Sequence, residues 1–230
     1  MVDIDNNEKL RAIRDAAALN DLCFDYILDH IRPGVSELEI ADKIDAYLLS
    51  HGASELAFPT ICVSGARGCL PHGEPSSKLI EIGDFVTMDL GGIVNGYCGD
   101  MTRTVAVGKV SEKAKEIYDI VLLAQTEATK AVKAGISTRY IDSIARDIIA
   151  DAGYGAQYIH GTGHGVGREV HEEPRLNNST DSVLTSGLAV TVEPGIYIEN
   201  ELGVRIEDLM IVTEFGIINL VRSVKELIVL

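Results

Sequence analysis

The sequence has no cluster of Lys and Arg side chains, and its formal net charge at pH 7 is −15. Because proteins hold nucleic-acid phosphates with clustered basic groups, this composition argues against a nucleic-acid partner. No apolar run approaches the roughly 20 residues that cross a bilayer, so we expect no membrane partner. The start of the chain, Met1 to Glu8, is acidic and polar, whereas a signal peptide is basic and then apolar. These absences predict a soluble, cytoplasmic protein with a solvated acidic surface.

The four cysteines have no C-x-x-C spacing. Without that spacing or a secretory context, we expect neither a disulfide framework nor a structural zinc site. Reduced thiols in a cytoplasm fit this pattern best. Cys98 lies two residues before Asp100 and on the same face of a predicted strand. A thiolate metal ligand is an alternative there, but a small buried filler is favoured.

The sequence does contain an internal repeat. Gly34-Val35-Ser36 recurs as Gly135-Ile136-Ser137, an offset of 101 residues. Each copy predicts a helix, a glycine turn with serine as N-cap and a second helix closed by glycine, followed by Val- and Ile-rich strands. A chance match of so short a motif is an alternative, but the matched helix signals favour duplication. We predict one domain over residues 1–230, with halves of about 1–110 and 111–230.

Five residues have the spacing of the ligands in a two-metal hydrolase. The acids among them interrupt strand-like runs, where an unpaired buried charge costs several kcal/mol, so a cation must compensate them. Four acids and one imidazole suit two divalent ions. Each half holds two of the acids, which a pseudo-two-fold axis would bring together at the seam of an α+β fold, with helices covering a curved antiparallel sheet. The five residues are Asp89, Asp100, His164, Glu193 and Glu207.

The donor atoms of these five residues also indicate which metal ion is preferred. Taken alone, an acid in a strand lies more often at an exposed edge than on a metal, but the order and spacing of all five residues favour metal binding. Mostly oxygen ligands favour Mn(II), Fe(II) or Co(II) over a tetrahedral structural zinc. We therefore predict two divalent metal ions, with Mn(II) preferred and Co(II), Fe(II) or Zn(II) as alternatives.

Six motifs in order resemble those of the "pita-bread" metallopeptidases. This family includes the Xaa-Pro aminopeptidases, the prolidases and the methionine aminopeptidases. The resemblance implies the pita-bread form of the α+β fold, a peptide substrate and, as the family default, a homodimer. The motifs are Leu70–Gly73, Asp89 with Asp100, His160–Gly167, His171–Pro174, Val192–Gly195 and Gly203–Asp208.

The resemblance also implies roles for the five candidate ligands. Asp100 and Glu207 would bridge the two ions, and Asp89 would bind one of them. His164 and Glu193 would bind the other ion. A hydroxide bridging the metals would be the nucleophile, and Glu193 would take up the proton as water attacks.

The remaining candidates are assigned to the substrate by the same resemblance. His171 would contact the scissile carbonyl, where a developing oxyanion needs hydrogen-bond donors, and His72 would lie near the leaving nitrogen. His160 would shape the proline-side pocket. As alternatives, His72 is a turn histidine and His160 a core histidine. Arg205 is expected to pair with a ligand carboxylate or to lie on the other strand face, with a surface salt bridge as the alternative.

We therefore predict a metallo-aminopeptidase that hydrolyses the N-terminal Xaa-Pro bond. A methionine aminopeptidase is an alternative, because Gly167-Arg168 is similar to that subfamily, although its members usually have His where this chain has Asp208. The resemblance also leaves open an Xaa-Pro dipeptidase (prolidase), hydrolysis of a non-peptidic C–N amide such as creatine, and a non-catalytic peptide-binding relative. A dipeptidase needs a cation for the free carboxylate of its substrate. Arg175 is the only basic residue between His171 and Glu193, which favours the aminopeptidase.

Overall fold

The computed structural model describes residues 2–230. Its four α-helices form two pairs: α1 (Glu8–Leu28) and α2 (Glu37–Ser50), then α3 (Glu112–Ala131) and α4 (Thr138–Asp151). The repeated serines, Ser36 and Ser137, cap α2 and α4 by accepting hydrogen bonds from backbone N–H groups of the first turn, as predicted. Gly34 and Gly135 have φ angles of +89° and +87°, a conformation that glycine adopts without strain. The helix, turn and cap signals of both copies are therefore confirmed.

Thirteen short strands complete the described part of the chain, and every pairing between them is antiparallel. They form sheets in the orders β1-β4-β5, β2-β3-β6, β10-β11 and β13-β12-β9-β7-β8. Helices combined with antiparallel sheets confirm the predicted α+β class. The strands are β1 (Glu55–Leu56), β2 (Ile61–Ser64), β3 (Phe85–Leu90), β4 (Gly92–Val94), β5 (Tyr97–Cys98), β6 (Met101–Ala106), β7 (Gly163–Gly165), β8 (Glu172–Leu176), β9 (Ala189–Val192), β10 (Gly195–Ile198), β11 (Leu202–Arg205), β12 (Asp208–Val212) and β13 (Ile217–Asn219).

Two apolar cores lie on opposite faces of strand β12. Leu209 and Ile211 pack with α1 and α2, while Met210 and Val212 pack with α3 and α4. This alternation follows from the two-residue period of a β-strand. All of β12 is buried, including its first residue, Asp208, which is 0% exposed. The residues at the start of β12 therefore lie deep in the protein.

The last ten residues, 221–230, run as an extended segment along the protein. Asp21 on α1 accepts hydrogen bonds from backbone N–H groups at its start. Arg103 donates to two of its backbone carbonyls, and the hydroxyl of Tyr118 donates to a third. Near its end, the backbone of Ala106 both donates to and accepts from the segment. The segment is thus hydrogen-bonded to two helices and to β6.

All four cysteines are free thiols. Burial raises the pKa of Cys98 to about 11, which keeps the thiol protonated. Its Sγ donates to the backbone carbonyl of Arg168 at 3.3 Å. These contacts fit the buried filler rather than the thiolate ligand. Within residues 2–230, no helix combines the length and the apolar character needed to cross a bilayer.

Candidate active site

Strand pairing brings the five candidate ligands together. Asp89 lies in β3, and Asp100 directly precedes β6, which pairs with β3. Glu193 directly follows β9, and Glu207 directly precedes β12, which pairs with β9. His164 lies in β7, which also pairs with β9. Residues far apart in the chain therefore meet where these strands begin and end.

The five residues line one cavity of about 520 Å³. One ligand atom from each of Asp100, His164 and Glu207 lies within 4.8 Å of the other two. His164 Nε2 is 3.1 Å from Glu193 Oε1 and 3.6 Å from Asp100 Oδ2. Asp89 Oδ1 and Glu207 Oε1 are buried with no hydrogen-bond partner in the described structure. Buried oxygens are normally partnered, so two orphaned carboxylate oxygens in a cluster of acids fit the ligand set of a divalent cation.

The protonation of this cluster reflects crowding of negative charge. Burial and the neighbouring acids raise the pKa of Asp100 and of Glu207 well above their usual values. Burial also raises the pKa of Asp89, although Arg205 opposes it. Burial alone would raise the pKa of Glu193 too, but the hydrogen bond and charge of His164 lower it to about 2. Without a cation, burial and the crowded negative charge therefore favour protonation of part of the cluster.

Two threonines donate hydrogen bonds to carboxylates of the candidate ligand set. Thr102 Oγ1 donates to Glu207 Oε2 at 2.7 Å and accepts from the guanidinium of Arg205 at 3.0 Å. Thr191 Oγ1 donates to Glu193 Oε1 at 3.1 Å. Neither threonine was singled out from the sequence. Each threonine lies two residues from an acid of the set, and this spacing places both side chains on the same face of an extended chain. That spacing would have indicated them from the sequence.

Arg205 is paired with a ligand carboxylate, one of the two placements expected from the sequence. It is 3% exposed. Its Nη2 donates to Asp89 Oδ2 at 2.7 Å, and its Nη1 donates to the hydroxyl of Tyr197 at 2.9 Å and to the carbonyl of Pro71 at 3.1 Å. The Tyr197 hydroxyl also lies 2.8 Å from His160 Nε2. Tyr197, which sequence reasoning missed, therefore connects the arginine to a pocket histidine.

The three candidate substrate histidines all line the cavity. The ring of His171 lies edge-on to the ring of His164, with centroids 4.4 Å apart. Burial lowers the pKa of His171 and of His160, which favours neutral imidazoles at pH 7. His160 Nδ1 lies 2.7 Å from its neighbouring carbonyl, Gly161 O. His72 is exposed to the cavity, and its ring makes no hydrogen bond with residues 2–230.

The remaining cavity wall is largely apolar and includes Phe58, Pro59, Ile61 and Val170. One further basic group, Arg175, also lines it. Arg168, which suggested a methionine aminopeptidase, lies outside the described lining, with its guanidinium carbon 5.1 Å from the centre of the Tyr97 ring.

Asp208 turns away from the cavity into a buried ionic network. Its carboxylate accepts from Arg103 Nη2 at 2.8 Å and from Lys225 Nζ at 2.7 Å. Burial alone would raise the pKa of Asp208, but these two cations lower it. Arg103 also donates to the backbone carbonyl of Glu207. The carboxylate cluster is thus held, on the side away from the cavity, by charged groups that do not line the cavity.

Comparison with known proteins finds relatives of similar sequence. The sequence profile of Metallopeptidase family M24 matches residues 11–214. The chain is 44% identical to the Xaa-Pro dipeptidase of Pyrococcus furiosus over 225 residues, which are 98% of this chain and 65% of that protein. The curated relatives that match are thus longer, and this chain spans 64% to 65% of the first ones.

Solved structures give the same result. An Xaa-Pro dipeptidase from Bacillus anthracis superposes with a TM-score of 0.96 and 48% identity, covering 98% of this chain and 63% of that chain. An X-Pro aminopeptidase from Thermotoga maritima superposes with a TM-score of 0.94 and 39% identity, covering 96% of this chain and 63% of that chain. These likenesses confirm the predicted pita-bread form of the α+β fold.

Proposed function

The chain belongs to Metallopeptidase family M24, and on this premise we propose that it hydrolyses the peptide bond between an N-terminal residue and a following proline. One observation carries the proposal: four carboxylates and one imidazole converge in a single cavity, and two of the carboxylate oxygens have no hydrogen-bond partner. Three further histidines line the same cavity. An apolar wall beside them suits the ring of proline. The entire lining comes from residues 58–207, so the site lies within the described chain.

We propose two divalent ions, Mn(II) in the first place and Co(II), Fe(II) or Zn(II) as substitutes, because oxygen donors predominate. Asp89, Asp100, His164, Glu193 and Glu207 would hold them. When bound, the ions supply an activated water for attack on the peptide carbonyl and stabilise the negative charge that develops there. The orphaned oxygens of Asp89 and Glu207 support this assignment.

The other groups of the cavity would accept or donate protons and orient the substrate. Glu193, whose pKa is lowered to about 2 with His164 beside it, is ionised at neutral pH and can accept the proton released in the attack. A neutral imidazole at His171 can donate an N–H to the carbonyl oxygen as it becomes an oxyanion. His72 would serve the leaving nitrogen, and His160, held by Tyr197, would shape the proline pocket.

Arg175 favours a second candidate function, that of an Xaa-Pro dipeptidase. The residue lines the cavity, and its hydrogen bonds involve only its backbone, so its guanidinium has no carboxylate partner in residues 2–230. A guanidinium in that place suits the free carboxylate of a dipeptide. A methionine aminopeptidase has less support, since Arg168 does not line the cavity.

A panel of peptides tests these candidates. Metal-stripped protein would receive Mn(II), Co(II) or Zn(II) and then Ala-Pro, Ala-Pro-Ala, Ala-Ala-Ala or Met-Ala-Ser. Ala-Pro-Ala should be cleaved faster than Ala-Ala-Ala by roughly 10–200-fold, the discrimination that one apolar ring contact supports. Cleavage of Ala-Pro alone would assign the dipeptidase. Cleavage of Met-Ala-Ser with no cleavage of Ala-Pro-Ala or Ala-Pro would refute both proline-directed functions.

Two substitutions separate the proposed catalytic histidine from the proposed ligands. His171→Ala should retain metal and fold while kcat falls by about 100-fold or more, the usual cost of removing an oxyanion donor. Glu207→Ala should lose metal instead. Elemental analysis of both variants after saturation with Mn(II) is the measurement, and equal metal content in the two would contradict the division of roles.

We further propose that residues 1–230 act as one catalytic domain with two pseudo-repeat halves, that the protein resides in the cytoplasm, and that it forms a homodimer. The repeated Ser-capped helices support the halves, and the four free cysteines support a reducing compartment. Light scattering coupled to size-exclusion chromatography would determine the oligomeric state.

A further inference from the structure

His72 lies on a loop whose two ends both donate hydrogen bonds to one buried carboxylate. This loop, residues 64–76 (the His72 loop), leaves β2, forms a short 3-10 helix at Gly65–Cys69 and carries His72 into the cavity. The ring of His72 makes no hydrogen bond with the described residues, so the position of the imidazole depends on the backbone of the loop that carries it.

Glu37, in the first turn of α2, holds both ends of the His72 loop. Its Oε1 accepts from the backbone N–H of Ser64 at 2.6 Å and from the Ser64 hydroxyl at 2.9 Å. Its Oε2 accepts from the backbone N–H of Ser76 at 3.1 Å and from the Ser76 hydroxyl at 2.7 Å. Arg67 Nε donates to the same oxygen at 2.9 Å. The side chain of Glu37 is 0% exposed, so water does not compete for these bonds.

The interior of the His72 loop has little freedom once its ends are held. Arg67 Nη2 donates to the carbonyl of Glu74 at 2.6 Å and so ties the loop across its middle. A Cβ at Gly68 would lie 2.9 Å from the backbone nitrogen of Gly203, and one at Gly73 would lie 2.6 Å from the side chain of Val63. These close approaches seat the loop between β2 and β11.

We propose that Glu37 is a positioning residue for His72. It touches neither the cavity nor any candidate metal ligand, and it acts by fixing the ends of the loop that presents the imidazole. The proposal rests on the proposed function only for its effect on turnover, since the effect on the loop follows from the hydrogen bonds alone.

The first test measures the loop itself. Glu37→Gln keeps the size of the side chain but replaces one acceptor oxygen with an NH₂ group that faces N–H and O–H donors. Hydrogen–deuterium exchange of a peptide covering residues 65–76 should become about 10-fold faster, as expected for losing two hydrogen bonds. Exchange in residues 160–165 and the Mn(II) content should not change. A uniform acceleration along the chain, or none in the loop, would overturn the proposal.

Glu39→Gln is the matched control on the same helix. Glu39 accepts from the backbone N–H and the hydroxyl of Ser36 at the helix cap and does not contact the His72 loop. It should lower stability slightly and leave loop exchange unchanged. If Glu37→Gln fails to fold, Ser76→Ala removes one hydroxyl donor from the same carboxylate, together with the acceptor of the Lys78 backbone N–H, and it must still accelerate exchange of residues 65–76.

The second test measures turnover of Ala-Pro-Ala in a double-mutant cycle. Glu37→Gln alone should lower kcat/KM by about 10- to 100-fold, the scale expected when a group is displaced by about 1 Å. In a His72→Ala background it should cause no further loss, because the group that it positions is absent. Equal losses in both backgrounds would show that Glu37 does not act through His72. Full activity of His72→Ala would instead refute the role of His72, while the exchange result would still decide whether Glu37 holds the loop.

Discussion

Adding Mn(II) to metal-stripped protein should raise its melting temperature, and the rise should shrink as the pH falls. A ligand that binds only the folded chain stabilises it by about 2.7 kcal/mol when its free concentration is one hundred times its Kd. In a chain of 230 residues, each kcal/mol moves the melting temperature by about 2–4 °C, so the expected rise is roughly 5–11 °C. The carboxylate cluster makes this gain dependent on pH.

Protons and metal compete for the same oxygens. In the metal-free folded chain, burial and the neighbouring acids raise the pKa of Asp100 and Glu207 above the ordinary values of 3.8 and 4.5. Between those values and the raised pKa values the folded chain holds more protons than the unfolded chain, so these two groups should stabilise the metal-free protein as the pH falls through the raised pKa values. His164, whose pKa lies above its ordinary 6.5, acts in the same direction. Glu193, with a pKa of about 2, opposes this trend only below its ordinary value of 4.5.

Differential scanning calorimetry at about pH 5, 6.5 and 8, with and without saturating Mn(II), measures both effects. Glu207→Ala is the control, since it should show little stabilisation by Mn(II) at any pH. The reasoning would be refuted by a melting temperature that Mn(II) does not move, or by a metal-free protein that loses stability between pH 8 and pH 6.

Two further substitutions test the groups behind the carboxylates. Thr102→Val removes the hydroxyl that donates to Glu207 and should weaken Mn(II) binding by about 10–100-fold in a calorimetric titration. Thr87→Val, on the neighbouring strand and without contact to a candidate ligand, should bind Mn(II) normally. Arg103→Met leaves Asp208 without the one of its two cations that is itself buried, and it should lower the free energy of unfolding by about 3–5 kcal/mol in a denaturant titration. A loss below 1 kcal/mol, about that of a surface pair, would show that Lys225 alone compensates the carboxylate.

The candidate ligand set could be proposed from the sequence because its signal is local. An acid within an apolar, strand-like run is costly unless a cation compensates it, and Asp89 and Glu207 each interrupt such a run. The repeat likewise indicated the helix pairs through Ser36 and Ser137, whose capping role depends only on the turn that follows.

The supporting contacts could not be predicted, because their partners are distant in the chain. Glu37 stands in the first turn of a helix, where an acid normally faces solvent and interacts with the helix dipole. Nothing near it in sequence reveals that it is buried against residues 64 and 76. Tyr197 likewise occupies an ordinary strand position, and its link between Arg205 and His160 exists only once β10 and β11 pair.

The extended segment 221–230 bears on how the protein is handled in the laboratory. A single guanidinium, that of Arg103, holds two carbonyls of this segment and also the backbone carbonyl of Glu207. We therefore expect a tag fused after Leu230, or attachment to a solid support there, to disturb the candidate metal ligands through Arg103. The chain at the start of α1, near Asp5 and Glu8, is exposed, and these two residues make no hydrogen bond to the segment or to a candidate ligand within residues 2–230, so it is the better place for a tag.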